Sequence, residues 1–332
     1  MKKILFVMAA LFGCIIVSNA QSTLVATLSH GSNVSMFYGA YALRDALEKA
    51  ESGDIINLSS GAFQAVDITK AITLRGTGID NKMPTYIVND FNINIPTEDT
   101  NRFTIEGIRC SGNMYLRGKF KDAAFSKCQY SYVELGYYDE DFIENAMFAN
   151  CKIIDRYQLC HGSVHFVNCY LGNCDRYYDT ASATFLNCVM NQEYLSNLPY
   201  SQIENCIIFW KETTYGSSAY SIPTTSLAYN CVAINHENAY NDLVSSSGCV
   251  TSTFAEVFKN FTGEYSDESN FKLTDEAKTK FLGLDGKQVG LYGGILPYNS
   301  TPSYPRFTKM DVSSKTTTDG KLNVNIEVAS GQ

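Results

Sequence analysis

The fold of this chain is decided by a six-residue unit that stands complete at Phe148-Ala149-Asn150-Cys151-Lys152-Ile153. The unit recurs as Phe166-Val167-Asn168-Cys169-Tyr170-Leu171, as Phe185-Leu186-Asn187-Cys188-Val189-Met190, and as Ile203-Glu204-Asn205-Cys206-Ile207-Ile208. Further cysteines continue the pattern at positions 110, 128, 231 and 249, so that successive cysteines lie 18 to 25 residues apart. A repeat of about twenty residues predicts a solenoid.

The parts of the unit predict its local geometry. Apolar and polar residues alternate on either side of the Asn-Cys pair, which is typical of short strands. Asn tolerates left-handed backbone geometry, so it predicts a sharp bend between two strands. In successive coils the same residue recurs about 4.8 Å along the axis, and we expect the Asn amides to stack as a hydrogen-bonded ladder. A helical solenoid would need a longer unit and a 3.6-residue period, which the sequence lacks.

The same rhythm extends upstream of the cysteines, where Ile55-Ile56-Asn57-Leu58 and Phe103-Thr104-Ile105 are strand-like. About ten coils fit the chain. Leu43, Ala46, Leu47 and Ala50 have helical spacing and predict an amphipathic helix over the open edge of the first coil. We expect the last coil at residues 289–294. A Pro-containing linker and a strictly alternating strand at residues 321–328 follow, and we expect this tail to dock along the rod or onto another molecule.

Residues 42–78, with Glu51-Ser52-Gly53-Asp54-Ile55-Ile56, Gly61-Ala62-Phe63 and Ile68-Thr69-Lys70-Ala71-Ile72-Thr73-Leu74-Arg75-Gly76, resemble the opening of secreted right-handed parallel β-helix proteins of the pectin-lyase-like fold. The resemblance implies an all-β fold. We expect a single-stranded right-handed parallel β-helix over residues 21–296, an N-terminal capping α-helix and a C-terminal β tail over residues 297–332. The Arg-x-x-Pro-x-x-Arg motif of pectate lyases and the Asp-Asp and Gly-His-Gly motifs of polygalacturonases are absent, so no catalytic residue of the family is carried over.

The N-terminus predicts export. Lys2 and Lys3 precede an apolar run that ends in Ser18-Asn19-Ala20, which is typical of a signal peptide over residues 1–20. Acylation of Cys14 as a lipoprotein is the alternative. The apolar run is too short to span a bilayer, so we expect no membrane span. The protein is expected in the periplasm, at the cell surface or outside the cell.

Composition excludes several classes of protein. The chain has 332 residues, 45% of them hydrophobic and 18% charged, which is typical of a globular protein with a core. Its net charge is -8, and removal of Lys2 and Lys3 with the signal would make it -10. An acidic chain offers no basic stripe for nucleic acid. We expect a monomer.

The cysteines are interpreted as structural. Zinc ligands within a pair lie two to four residues apart, whereas these lie about twenty apart, so we expect no metal. Most are predicted to be reduced side chains that fill the coil interior. Cys160 and Cys174 lie off the repeat and form the best candidate pair for a disulfide.

Segments that follow the Asn-Cys strands are rich in tyrosine and carboxylate. We interpret them as loops that the solenoid stacks on one edge of the rod, and aromatic faces beside carboxylates suit sugar rings. The candidate substrate-binding residues are Tyr137, Tyr138, Tyr157, Tyr177, Tyr178 and Trp210. Like charges repel within a Debye length, so we expect a neutral glycan. We expect no cofactor at this site. The alternative is calcium bridging through Asp139, Asp141, Asp175 or Asp179. The other interpretation is a solvated edge.

The tripeptide Asp-Arg-Tyr occurs twice on this edge, one coil apart. The candidate catalytic residues are therefore Asp155, Arg156, Asp175 and Arg176, as carboxylates and neutralising arginines. The alternative is a surface ladder of ion pairs. The sequence supports two functions. One is an exported protein that binds a polysaccharide or cell-surface glycan and, if it is an enzyme, cleaves it as a lyase or glycoside hydrolase. The other is a surface or structural rod without chemistry.

Overall fold

The structure is a computed structural model that describes residues 24–79, 84–177, 180–210, 221–243, 245–312, 319–321 and 324–329. It confirms an all-β fold of parallel strands stacked as a solenoid, with 44% strand and 7% helix. The solenoid has about nine turns, close to the ten that the repeat predicts.

The first sheet, sheet A, has 13 strands within the described residues. They are β1 (Val25–His30), β2 (Asn33–Tyr38), β3 (Ile55–Leu58), β5 (Thr73–Arg75), β8 (Thr104–Glu106), β10 (Lys119–Lys121), β11 (Ala124–Ser126), β13 (Phe142–Ala149), β15 (Gly162–Val167), β17 (Ala181–Leu186), β19 (Ser201–Glu204), β21 (Leu227–Tyr229) and β23 (Ser246–Ser247). From β3 onward each strand pairs in parallel with the equivalent strand of the next coil.

The second sheet, sheet B, has 11 strands within the same residues. They are β4 (Gly61–Gln64), β6 (Thr85–Val88), β7 (Phe91–Asn94), β9 (Ile108–Arg117), β12 (Gln129–Leu135), β14 (Lys152–Leu159), β16 (Tyr170–Tyr177), β18 (Val189–Asn191), β20 (Ile207–Phe209), β22 (Val232–Ile234) and β24 (Val250–Ser252). A 3₁₀ turn at Leu195–Asn197 follows β18. In five coils an Asn-Cys pair, at residues 150–151, 168–169, 187–188, 205–206 and 230–231, joins a strand of sheet A to a strand of sheet B.

The repeated asparagines make the predicted bend. Asn150, Asn168, Asn187, Asn205 and Asn230 all have positive φ, between 50° and 56°. An L-residue pays a steric penalty there, and Asn pays less of it than most because its short polar side chain bonds locally. The left-handed residue turns the chain out of sheet A and into sheet B.

The other members of the unit form columns through the core. The rings of Phe125, Phe148, Phe166 and Phe185 stack at centroid distances of 4.5, 5.2 and 5.4 Å. The thiol of Cys169 donates to the carbonyl of Phe148 in the preceding coil at 3.3 Å, and equivalent bonds recur along the column. A small side chain with a weak donor fits this narrow position. This confirms the prediction that the repeated cysteines are buried side chains.

Burial disfavours the ionised form of the thiol at two positions of this column. Desolvation raises the pKa of the Cys110 thiol to about 12 and that of Cys151 well above its usual range. The ladder residue Cys249, at the end of the column, is half-buried. Cys160 and Cys174 are buried thiols rather than a disulfide pair.

The N-terminal end is built from a hairpin and a helix. β1 pairs antiparallel with β3 and covers the open edge of the first coil, a strand that the sequence analysis did not predict. β2 pairs antiparallel with β1 and lies at the end of sheet A. Helix α1 (Ala42–Lys49) buries Leu43, Ala46 and Leu47, the face predicted from their spacing.

The C-terminal segment does not form a further coil. Residues 254–281 contain two short helices, α2 (Phe254–Val257) and α3 (Ala277–Lys280), and their apolar side chains pack on the outer face of sheet B. Residues 281–304 then return along the bends of the solenoid. We call this segment the return strap.

The return strap binds the bend asparagines. Asn168 Nδ2 donates to the carbonyls of Leu291 and Gly293 at 2.8 and 2.9 Å. Asn205 Oδ1 accepts from Leu284 N at 3.2 Å, and Asn150 Oδ1 accepts from Asn299 N at 2.6 Å. The prediction of a last coil at residues 289–294 was therefore wrong, and these ladder amides bind the strap rather than one another. Beyond the strap, β25 (Arg306–Val312) and β26 (Val324–Ala329) form an antiparallel pair.

Candidate functional site

The outer face of sheet B is covered over only part of its length. Tyr170, Val189, Ile207 and Val232 point outward from successive strands and are buried against residues 254–291. On β9, β12 and β14 the ends nearest the following turn stay open, where Tyr115, Tyr132 and Arg156 are half-buried or exposed. The C-terminal segment therefore leaves one region of the sheet accessible.

Aromatic side chains collect in that open region. We call Tyr115, Arg117, Tyr132, Tyr137 and Tyr138 the aromatic patch. Its rings meet edge to face, Tyr115 with Tyr132 at 6.2 Å and Tyr137 with Tyr138 at 5.3 Å. The Arg117 guanidinium lies 4.9, 5.9 and 5.4 Å from the ring centres of Tyr115, Tyr137 and Tyr138, within the range of cation–π attraction. One arginine thus links the two tyrosine pairs.

A buried carboxylate fixes the patch from below. Glu134 is 7% exposed and accepts a hydrogen bond from Arg117. The Tyr132 hydroxyl lies 2.9 Å from Glu134 Oε2 and 2.6 Å from Gln158 Oε1. Burial and the neighbouring Glu134 carboxylate raise the pKa of Tyr132. The phenol therefore stays protonated at neutral pH and acts as a hydrogen-bond donor.

Tyr137 and Tyr138, the two most exposed rings of the aromatic patch, lie on a short turn between sheets B and A, residues 136–141. Asp141 is 4% exposed and accepts hydrogen bonds from Gly118 N at 2.6 Å and from Tyr138 N at 3.0 Å. These bonds tie the turn to the preceding coil. Tyr137 and Tyr138 remain 42% and 53% exposed and are held in place by a fixed backbone.

A groove of about 1280 Å³ lies on the other side of this turn, along sheet A. Its lining includes Arg102, Lys119, Lys121, Asp139, His161 and His165. Thr180 Oγ1 donates to the Cys160 carbonyl at 3.0 Å, so at 2.6 Å it accepts the proton of His161 Nδ1. His161 Nε2 then faces Asp139, 3.9 Å away. The groove combines basic, acidic and imidazole groups beside the exposed tyrosines.

Several predicted site residues lie in strands rather than loops. Asp155 and Arg156 are exposed on β14, whereas Tyr157 is fully buried with its ring against Phe166 and Phe185. The placement of Tyr157 on the accessible edge was therefore wrong. Residues 155–157 continue strand β14, and alternation from the buried Ile153 places Tyr157 and Leu159 in the core.

The two Asp-Arg-Tyr motifs do not stack residue on residue. Tyr157 pairs with Cys174 and Gln158 with Arg176, so Asp175 is the extra residue of a bulge. Arg156 Nη1 instead donates to Asp175 Oδ2 at 2.9 Å, an ion pair between coils. The side chains are 57% and 40% exposed. This is the contact expected of the surface-ladder alternative.

The structure describes only some of the remaining predicted site residues. Trp210 follows β20 and is half-buried. Arg176 and Tyr177 belong to the backbone of β16, but their side chains lie outside the described residues, as do Tyr178 and Asp179 entirely. In the described part of the chain no cluster of three or more His, Cys, Asp or Glu side chains is arranged to hold a metal ion.

The sequence analysis missed Tyr115, Arg117, Tyr132 and Glu134. Their signal was present, because Met114-Tyr115-Leu116-Arg117 and Tyr132-Val133-Glu134-Leu135 alternate with a period of two. Met114, Leu116, Val133 and Leu135 are buried, which sends their neighbours outward. The sequence signal for the patch therefore lies in the alternation of strands β9 and β12.

No protein-family model matches the chain, and a search of curated proteins finds no significant match. Among the described residues, none of the helices has the length and apolar character needed to cross a bilayer.

Proposed function

We propose that the chain is an exported β-solenoid that binds a polysaccharide through the aromatic patch, with the adjoining groove as a place for the chain of sugars to continue. The observation that supports it is the Tyr137–Tyr138 pair, two exposed rings held against one arginine on a braced turn. Exposed aromatic faces on a rigid scaffold suit the apolar faces of sugar rings, and little side-chain entropy is lost on binding.

Polar groups around the rings suit the sugar hydroxyls. The half-buried Tyr132 phenol and the exposed Asp155 supply polar groups on sheet B, and His161 and Asp139 supply them in the groove along sheet A. The acidic net charge of the chain favours a neutral polymer. If the protein also cleaves the bound polysaccharide, the candidate acid and base groups are His161 with Asp139, or Asp155 with the Arg156–Asp175 pair.

The experiment is affinity electrophoresis on a panel of neutral and acidic polysaccharides, followed by measurement of the dissociation constant for whichever polymer retards the wild type. Replacing both Tyr137 and Tyr138 with alanine is expected to weaken binding at least tenfold, about 1.4 kcal/mol or more. The matched control is Tyr41→Ala, because Tyr41 is 59% exposed and Tyr138 is 53% exposed.

Two results would overturn the proposal. One is the absence of retardation by any polymer of the panel, which would favour the structural rod. The other is equal binding by the double variant and the Tyr41 control. Reducing-end and unsaturated-product assays on the same panel decide whether binding is accompanied by hydrolysis or elimination.

A further inference from the structure

Strand β2 forms an open edge at the N-terminal end of the rod. It pairs with β1 along all six of its residues and has no strand on its other side within the described structure. Val34, Met36 and Tyr38 point to one face and are 64%, 53% and 60% exposed. The strand thus presents both unpaired backbone groups and an apolar row.

This edge lacks the features that usually prevent an edge strand from pairing with a strand of another chain. Natural edge strands carry charges, prolines or bulges, or are very short. Residues 31–43 contain no charged residue and no proline, and the register of β1 with β2 is continuous. The far ends of sheets A and B are β23 and β24, of two and three residues. The other end of sheet B is β4, of four residues, and the two-stranded sheet of β25 and β26 carries charged residues such as Lys309 and Glu327. Among the described edges, β2 is therefore the long strand without charge, proline or bulge.

The strand is complementary to itself. Residues directly opposite in an antiparallel pair point to the same face, so a two-fold axis through Met36 sets Met36 against the second copy of itself and Val34 against Tyr38. Aromatic and β-branched side chains make favourable cross-strand pairs. In this register the three apolar residues of one copy cover those of the other.

We propose that two copies of this chain associate through β2, antiparallel and centred on Met36, to form a dimer in which sheet A runs continuously through both rods. The uncharged segment 31–43 is where two acidic chains can approach without close repulsion. Strand pairing alone buries less than the roughly 1200 Å² of a stable interface, so the dimer is reversible and concentration-dependent. The sequence analysis expected a monomer, and this inference is independent of the proposed function.

Disulfide trapping in the full chain tests the register. Opposite residues of an antiparallel pair lie about 4.5–5.5 Å apart between Cα atoms, within disulfide range. Under mild oxidation Met36→Cys is therefore expected to give a covalent dimer on a non-reducing gel. Val34→Cys is the matched control, because its two copies would be about 14 Å apart. Mixing Val34→Cys with Tyr38→Cys is expected to restore cross-linking.

Sedimentation measures the association itself. The wild type is expected to shift from monomer to dimer as concentration rises, and Met36→Lys is expected to remain monomeric with unchanged thermal stability. Ile295→Lys is the control, because Ile295 is 81% exposed on the return strap. A wild type that stays monomeric, or a Met36→Cys variant that cross-links no more than the oxidised parent and the Val34→Cys variant, would refute the dimer. Cross-linking of all variants equally would show non-specific collision and would refute the register.

Discussion

Asn168 donates both amide protons to the carbonyls of Leu291 and Gly293, residues more than 120 positions later in the chain. The amide is fully buried, and its residue also makes the left-handed bend between the two sheets. A single side chain thus joins the coil to the return strap. The strap in turn supplies hydrogen-bond partners to the bend asparagines, whose amides would otherwise face solvent.

We expect Asn168→Gly to destabilise the protein by about 2 to 4 kcal/mol, because it leaves two buried carbonyls without donors. Glycine keeps the left-handed backbone, so the loss reports the amide alone. Denaturant unfolding measures it. Asn230→Gly is the control, since its amide bonds to Leu282 O at a more exposed site, and an equal loss at both positions would contradict the central role of Asn168.

The buried Cys110 thiol predicts a loss of stability in alkali. Burial raises the pKa of Cys110 from 9.0 to about 12, so between these values the unfolded chain releases a proton that the folded chain keeps. Folding free energy that is fully present below pH 9 is then lost at up to about 1.4 kcal/mol per pH unit for this thiol. Unfolding measured from pH 8.5 to 10.5 is expected to show a shallower pH slope in Cys110→Ala. Identical slopes would contradict the assignment.

Cysteine accessibility is expected to follow position in the column. Cys249 is half-buried, whereas the other repeated cysteines are buried. Brief alkylation of the native protein, read by mass spectrometry, is therefore expected to label Cys249 first among the cysteines of the described chain. Labelling of Cys169 at the same rate would mean that the coils open locally.

Overpacking tests the fit of the column. Cys169 is fully buried between neighbouring coils, so Cys169→Leu is expected to cost about 1 to 3 kcal/mol. Cys169→Ser retains the size and a donor toward Phe148 O and serves as the comparison. A leucine variant as stable as the wild type would show an interior looser than the structure describes.

The Arg156–Asp175 pair separates a structural role from a catalytic one. Both side chains are substantially exposed, so Asp175→Asn is expected to cost less than about 1 kcal/mol, and salt should reduce the difference. A double-mutant cycle with Arg156→Gln isolates the pair. If a polysaccharide-cleaving activity exists and falls by orders of magnitude in Asp175→Asn while stability barely changes, the surface-ladder interpretation fails.

Part of this architecture is determined by residues that lie close together in the sequence. The Asn-Cys repeat predicts the bend, the buried cysteines and the parallel stacking. Each repeat contains the same short succession of a strand, a left-handed residue and a second strand. The spacing of Leu43, Ala46 and Leu47 likewise predicts helix α1. These features depend on residues within one or two coils of each other.

Other features depend on contacts that no local pattern contains. Tyr157 is buried because pairing with β12 and β16 continues strand β14 through residues 155–157, and Tyr157 then lies four positions after the buried Ile153. Asp155 does not face Asp175 because paired residues of β14 and β16 are 17 or 18 positions apart, whereas the two motifs are 20 positions apart. The sequence by itself determined a parallel β-solenoid with a cysteine-lined core. The tertiary structure alone decided that residues 281–304 turn back along the bends and that residues 254–281 cover one part of sheet B. The open part, with its aromatic patch, follows from that covering, since a surface is defined by which distant segment packs on it.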